Sequence, residues 1–136
     1  MLIQHYGAMM DIPVEVGLSP TLGIRGLLAT RDIAAGEVIE RCPVVFIPVA
    51  QEDALEATVL GNYYFLWDDD FYAMALGYGS FQNHSYHANV RFQRDFEAQQ
   101  IVFTAAKAVL KGEELTINYN GDPDDVTPID EGFGVP

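Results

Sequence analysis

Phe81-Gln82-Asn83-His84-Ser85-Tyr86-His87-Ala88-Asn89 is the stretch on which the reading of this chain turns. Downstream stands its companion, Gly112-Glu113-Glu114-Leu115-Thr116-Ile117-Asn118-Tyr119. The first segment crowds two Asn, two His and a Ser together. Such side chains bond to nearby backbone rather than settle into regular structure, so the segment reads as a loop. The second opens on a glycine turn, continues as a short strand and ends on a tyrosine. Taken singly, each also fits a bland role: a capped loop, and a surface strand with a half-buried tyrosine.

Working outward, Gly23-Ile24-Arg25-Gly26-Leu27-Leu28-Ala29-Thr30 has two glycines three apart, which predicts a tight turn leading into a strand. Ile33-Ala34-Ala35-Gly36-Glu37 predicts a turn with Gly36 in the left-handed position. Val109-Leu110-Lys111-Gly112-Glu113 repeats that chemistry, as two similar turns rather than an internal repeat. Val14 and Val16 alternate with Glu15, as in an edge strand. Val38 to Ile47 predicts a strand interrupted at Pro43. Residues 51–60 carry helix formers and predict a short helix. Tyr63 to Trp67 and Phe71 to Leu76 flank Asp68-Asp69-Asp70, a hairpin signal; Val90 to Phe96 and Gln100 to Ala105 predict a second hairpin. The expectation is a mainly β fold with few short helices.

The chain has 136 residues, the size of one domain with a core of its own. Residues 121–136 read as an acidic, irregular C-terminal tail, rich in Gly, Pro and Asp. Seven basic residues against 20 acidic ones give a formal charge of −13. That field repels phosphate backbones and argues against direct nucleic-acid binding, but it would attract a lysine-rich peptide. It also serves plain solubility. Cys42 is the single cysteine, which excludes an internal disulfide and a multi-cysteine zinc site; a small buried hydrophobe is its expected role. The N-terminus lacks a basic segment followed by an apolar one, and no apolar run is long enough to span a membrane. The expected protein is soluble and intracellular, with cytoplasm and nucleus unresolved.

Together the two quoted segments resemble the signature motifs of the SET-domain protein lysine methyltransferases. Phe81, Asn83, His84, Ser85 and Asn89 match the pattern Arg-Phe-x-Asn-His-Ser-Cys-x-Pro-Asn, with Ser80 in place of its Arg, Tyr86 of its Cys and Ala88 of its Pro. Gly112 to Tyr119 is similar to Gly-Glu-Glu-Leu-Thr-x-x-Tyr. Arg25 to Ile39 is similar to the opening Gly-x-Gly segment; Gly26 takes the second glycine, Ile24 falls where the first would be, and Gly23 sits one residue early. The resemblance covers about residues 17–120. It implies a minimal, stand-alone SET domain: several small sheets with a C-terminal pseudoknot, in which the Asn-His loop threads beneath the last motif.

The activity implied is methyl transfer from S-adenosyl-L-methionine to the side-chain amine of lysine in a protein substrate, a basic tail by charge. On this resemblance Tyr119 is the catalytic tyrosine. Ile24, Arg25 and Gly26, through their backbone, and Asn83 and His84 would contact the cofactor. A narrow aromatic channel would favour the neutral amine by desolvation. Tyr63, Tyr64, Trp67, Tyr72 and Tyr78 are wall candidates; plain core packing serves for most of them, and Tyr78 is singled out as channel residue because it precedes the Asn-His segment. Ile117 stands two before the tyrosine, where a small side chain leaves room for di- or trimethyllysine.

His84 and His87 are three apart, a spacing that zinc uses, but no cysteine is near, and no metal site is expected. Glu113 and Glu114 are adjacent on a strand, face opposite ways and read as structural. The lysine channel lacks the zinc-bound cover of larger relatives; the tail, with Ile129 and Phe133, or a partner subunit such as a second copy in a homodimer, could take that place. Two alternatives stay open: a catalytically inactive SET-like module that binds basic peptides, and methylation of a small amine or other non-lysine target.

Overall fold

The computed structural model describes residues 11–129. It contains two sheets. The first has the order β1-β2-β9-β6, with β1 Val14–Leu18, β2 Arg25–Ala29, β6 Asn83–His84 and β9 Glu114–Ile117. The second has the order β4-β5-β3-β8-β7, with β3 Val38–Pro48, β4 Tyr64–Leu66, β5 Phe71–Ala75, β7 Val90–Asp95 and β8 Gln100–Ala105. One short helix, α1 (Glu52–Glu56), lies between two single 3₁₀ turns, and a third 3₁₀ turn spans Tyr78–Phe81. Among the described residues no helix is long and apolar enough to cross a membrane.

β3 does not break at Pro43. Its first half pairs with β8 as far as Pro43 opposite Gln100, and its second half pairs with β5 from Val44 opposite Ala75. The proline therefore falls where the strand changes partners, and its missing N–H interrupts neither ladder. Its carbonyl is used, accepting from Leu76 N–H at 2.9 Å. The two hairpins form as expected. At the tip of β4–β5, Asp68 Oδ1 accepts the N–H groups of Asp70 and Phe71, both at 2.9 Å, which is why an acidic run can make the turn.

The two Gly-Glu turns face one another. Ile33 and Val109 exchange both backbone hydrogen bonds, at 2.7 and 2.9 Å. Gly36 and Gly112 hold φ of 85° and 88°, a region other residues seldom adopt. In each turn the glutamate caps its own loop: Glu37 Oε1 accepts from Ala34 N–H, and Glu113 Oε1 from Leu110 N–H. Each glycine N–H reaches the strand that leads to the opposite turn, Gly36 to Ala105 O and Gly112 to Ala29 O. The repeated chemistry is thus one paired structural joint between the sheets.

The core lies between the sheets. Alternation on β8 sends Ile101, Phe103 and Ala105 inward, against Leu27 of β2, Leu115 of β9 and Val90 of β7. Burying each large side chain contributes about 2 kcal/mol. Cys42 is fully buried in this cluster; burial first, then the neighbouring Glu40 carboxylate, pushes its thiol up to about 12, so it is an unreactive filler. Gly79 lies flat on Phe103, where an added Cβ would stand 2.1 Å from a ring carbon.

Candidate functional site

β9 lies between β2 and β6 and brings three distant segments together. β6 runs parallel to it, with Asn83 opposite Thr116 and His84 opposite Ile117. Ser85 N–H donates to Ile117 O at 2.9 Å, extending the pairing. Asn89 returns to the same strand: its Nδ2 donates to Glu114 O and its Oδ1 accepts from Thr116 N–H, both at 2.9 Å. After Tyr119 the chain comes back to the loop from the far side, where Ala88 N–H donates to Pro123 O at 3.2 Å. The loop is therefore held between β9 and the segment that follows it, the interlacing implied for a pseudoknot.

Two departures from the family pattern have a physical reason here. A proline at 88 would have no N–H to give Pro123. Tyr86 places its hydroxyl to accept from Ile129 N–H at 3.3 Å, which pins the chain leaving the site. Buried Asn118 completes the clasp, donating to Pro123 O and Asp125 O. Of the described end region, only Asn120 and Gly121 border the cavity described below. The rest of the described tail follows the Tyr86–Ala88 loop, and Phe133 lies outside the described residues.

The segments expected to meet a cofactor are neighbours. Asn83 Nδ2 donates to Arg25 O at 3.2 Å and to Glu114 Oε2 at 2.7 Å. The Arg25 guanidinium lies 4.8 Å from the centre of the Phe81 ring. Gly26 faces inward: a Cβ there would stand 2.6 Å from Glu114 Oε2 and 2.8 Å from Asn83 Nδ2, so glycine at 26 makes room for that pair. Ser19 Oγ donates to the other Glu114 oxygen. Glu114 thus gathers β1, β2 and β6, while the Glu113 side chain caps its turn. Sequence reasoning placed both as structural and missed that Glu114 organises this corner. The one visible signal was its position on a strand, on the face opposite the turn-capping Glu113.

His84 Nδ1 accepts from Tyr119 N–H at 3.0 Å, which puts the ring proton of the neutral form on Nε2. Nε2 is buried without a partner among the described residues. Burial lowers the pKa of this histidine, so it is neutral near pH 7. The ring packs between Tyr86 and Tyr119, at centroid distances of 4.5 and 5.0 Å. Neither His84 nor His87 belongs to any cluster of three metal-ligating side chains among the described residues.

Tyr119 reaches into a cavity of about 710 Å³, which Gln82, Ile117, Tyr63 and Tyr64 also line. Its hydroxyl faces Gln82 O at 3.5 Å. Burial first, then nearby Tyr63, pushes the phenol up to about 12, so it is a neutral hydroxyl in the ordinary pH range. Of the five aromatic wall candidates, Tyr63 and Tyr64 line this cavity. Trp67 is core, 4% exposed and packed on Phe46 and Phe96. Tyr72 stacks behind Tyr64 at 4.8 Å. Tyr78 is 42% exposed and does not line the cavity; the 3₁₀ turn gives its N–H to Glu40 Oε2 instead. Gln82 was not anticipated, because its part in the wall lies in a main-chain carbonyl.

A family model described as the SET domain matches residues 24–120. A curated relative, the H3 lysine-37 specific histone-lysine N-methyltransferase of Schizosaccharomyces pombe, is 33% identical over 108 residues, which is 79% of this chain and 73% of the relative. A crystal structure from Plasmodium falciparum, of a candidate histone methyltransferase, matches with a TM-score of 0.64 at 24% identity and shares the fold; the match covers 81% of this chain and 95% of that one.

Proposed function

The chain belongs to the SET-domain family of protein-lysine methyltransferases, and from that membership we propose that it carries a methyl group from S-adenosyl-L-methionine to lysine in a basic protein tail. One observation carries the reading. The hydrogen bond from Tyr119 N–H to His84 Nδ1 ties the cavity tyrosine to the Asn-His segment, so donor and acceptor sites share one joint.

The residues present fit the cofactor. Arg25 makes no ion pair among the described residues and offers a guanidinium to a carboxylate. The Ile24–Gly26 backbone and the Asn83 amide suit an amino group, and the next residue, His84, keeps a buried Nε2 without a partner among the described residues. When bound, the cofactor supplies an electrophilic methyl on a sulfonium. The chain's own residues then do three things. The cavity walls at Tyr63, Tyr64 and Ile117 strip water from the incoming amine. Lysine has a pKa of about 10.4 in water and is almost wholly protonated at pH 7; desolvation favours the neutral form that can attack. The displaced proton leaves to solvent through the open cavity. The neutral Tyr119 hydroxyl and the Gln82 carbonyl would accept weak C–H···O contacts from the methyl and from the carbon beside the amine, and the phenol takes no part as a base.

The substrate is a lysine-rich tail drawn by the charge of −13. Histone H3, in the relative's name, is of that kind. Calorimetric titration with S-adenosyl-L-methionine, followed by transfer of label to a histone mixture, tests the proposal. Binding with turnover is expected, and Tyr119→Phe should lower turnover by about a hundredfold or more while cofactor binding persists. Capture of basic peptides with neither cofactor binding nor turnover would instead establish an inactive binding module.

A further inference from the structure

The cavity that holds Tyr119 and Ile117 also holds one carboxylate, Glu56. Glu56 ends helix α1 and is exposed, so it stands at the cavity rim. Its Oε1 accepts from the Tyr64 hydroxyl at 2.6 Å. Tyr64 in turn packs against the ring of Tyr72, at a centroid distance of 4.8 Å. Gly61 packs against the end of α1, where an added Cβ would stand 3.0 Å from Glu56 Cα and 3.1 Å from the second carboxylate oxygen.

Glu56 has no cationic partner among the described residues. The ion pairs are Arg31 with Asp11 and Glu37, and Lys107 with Asp124. Arg94, the cation across the same cavity, is engaged elsewhere: its Nη1 donates to Trp67 O at 2.6 Å and its guanidinium lies over Phe96. An oriented carboxylate without a counterion among the described residues, at the mouth of the cavity that holds Tyr119, suits a cationic side chain. Both oxygens keep free lone pairs, which suits the planar fork of arginine better than the point charge of lysine.

We propose that Glu56 selects an arginine close to the acceptor lysine in the substrate. The proposal rests on the lysine-methyltransferase reading and goes beyond it by naming a specificity residue and the side chain it takes. The test uses peptides with a single lysine, in which one arginine is moved through the neighbouring positions and compared with glutamine at each. At one position arginine should raise kcat/KM by roughly threefold to tenfold, the range of an exposed to well-aligned charged contact. Glu56→Gln should abolish that preference, and Glu56→Arg should turn it toward glutamate at the same position. Tyr64→Phe, which releases the carboxylate, should narrow it, and this variant serves if Glu56 substitutions fail to fold. A wild-type enzyme indifferent to arginine at every position overturns this proposal alone. So does a Glu56→Gln enzyme that keeps the preference. A protein that methylates none of the peptides overturns the underlying reading as well.

Discussion

Asn89→Ala would measure how much of the site depends on one amide. Asn89 serves β9 twice, at Glu114 O and at Thr116 N–H, each at 2.9 Å. Asn83 and His84 pair with Thr116 and Ile117 on the same strand, so the amide completes the edge that these residues begin. Losing two neutral hydrogen bonds costs about 1 kcal/mol each, and the stranded main-chain groups, partly shielded from water, add up to about 1 kcal/mol each. The total is about 2–4 kcal/mol, a large share of the roughly 5–15 kcal/mol that holds a domain together. In urea, with a slope of about 2 kcal/mol per molar denaturant for a domain of this size, the midpoint should fall by about 1–2 M with the slope unchanged. Turnover should fall with it, because β9 leads directly into Tyr119. Asn89→Asp keeps the acceptor for Thr116 N–H but turns a charge on Glu114 O, so at neutral pH it should be no better than alanine. A midpoint shift below about 0.3 M in Asn89→Ala would refute the view that this amide clasps the strand.

Two further outcomes follow from the same geometry. Ile117→Phe narrows the cavity beside Tyr119, and mass spectrometry of a methylated peptide should show the product shifting from di- or trimethyl toward monomethyl; a strictly monomethyl product from the unaltered protein would sink the premise. Cys42 is raised from 9.0 to about 12 and Tyr119 from 10.0 to about 12, so the folded state holds both protons where the unfolded chain releases them. Stability from these groups is whole below pH 9 and is lost as pH rises through 12. Urea midpoints taken at rising pH should decline from about pH 9, and Cys42→Ala should delay the onset toward pH 10; an onset unchanged by the substitution would count against a buried thiol as its cause.

Turn chemistry was legible because it is local. Gly36 and Gly112 need a left-handed backbone, and the glutamate after each reaches back over its own loop. The hairpins were legible for the same reason: Asp68 caps the turn from within it. Pro43 misled because its meaning depends on two partner strands, neither adjacent in sequence. Tyr78 is near Asn83 along the chain but does not line the cavity that holds Tyr119. The 3₁₀ turn from Tyr78 to Phe81 carries it instead to Glu40.

By itself, then, the sequence determined the family and the order of turns and strands, and it singled out Asn83, His84 and Tyr119 as the residues to propose for the site. Those features depend on side-chain chemistry acting over a few residues. Tertiary structure alone decided which aromatics form the cavity wall, why Gly26 must lack a side chain, what Glu114 and Asn89 hold together, and that Glu56 stands at the cavity beside Tyr64. Each of these depends on the insertion of β9 between β2 and β6 or on the apposition of α1 and β4. Ser19 meets Glu114 across 95 residues of chain and Asn83 meets it across 31. No pattern of neighbours can announce such a contact, because the partner arrives only when the strand does.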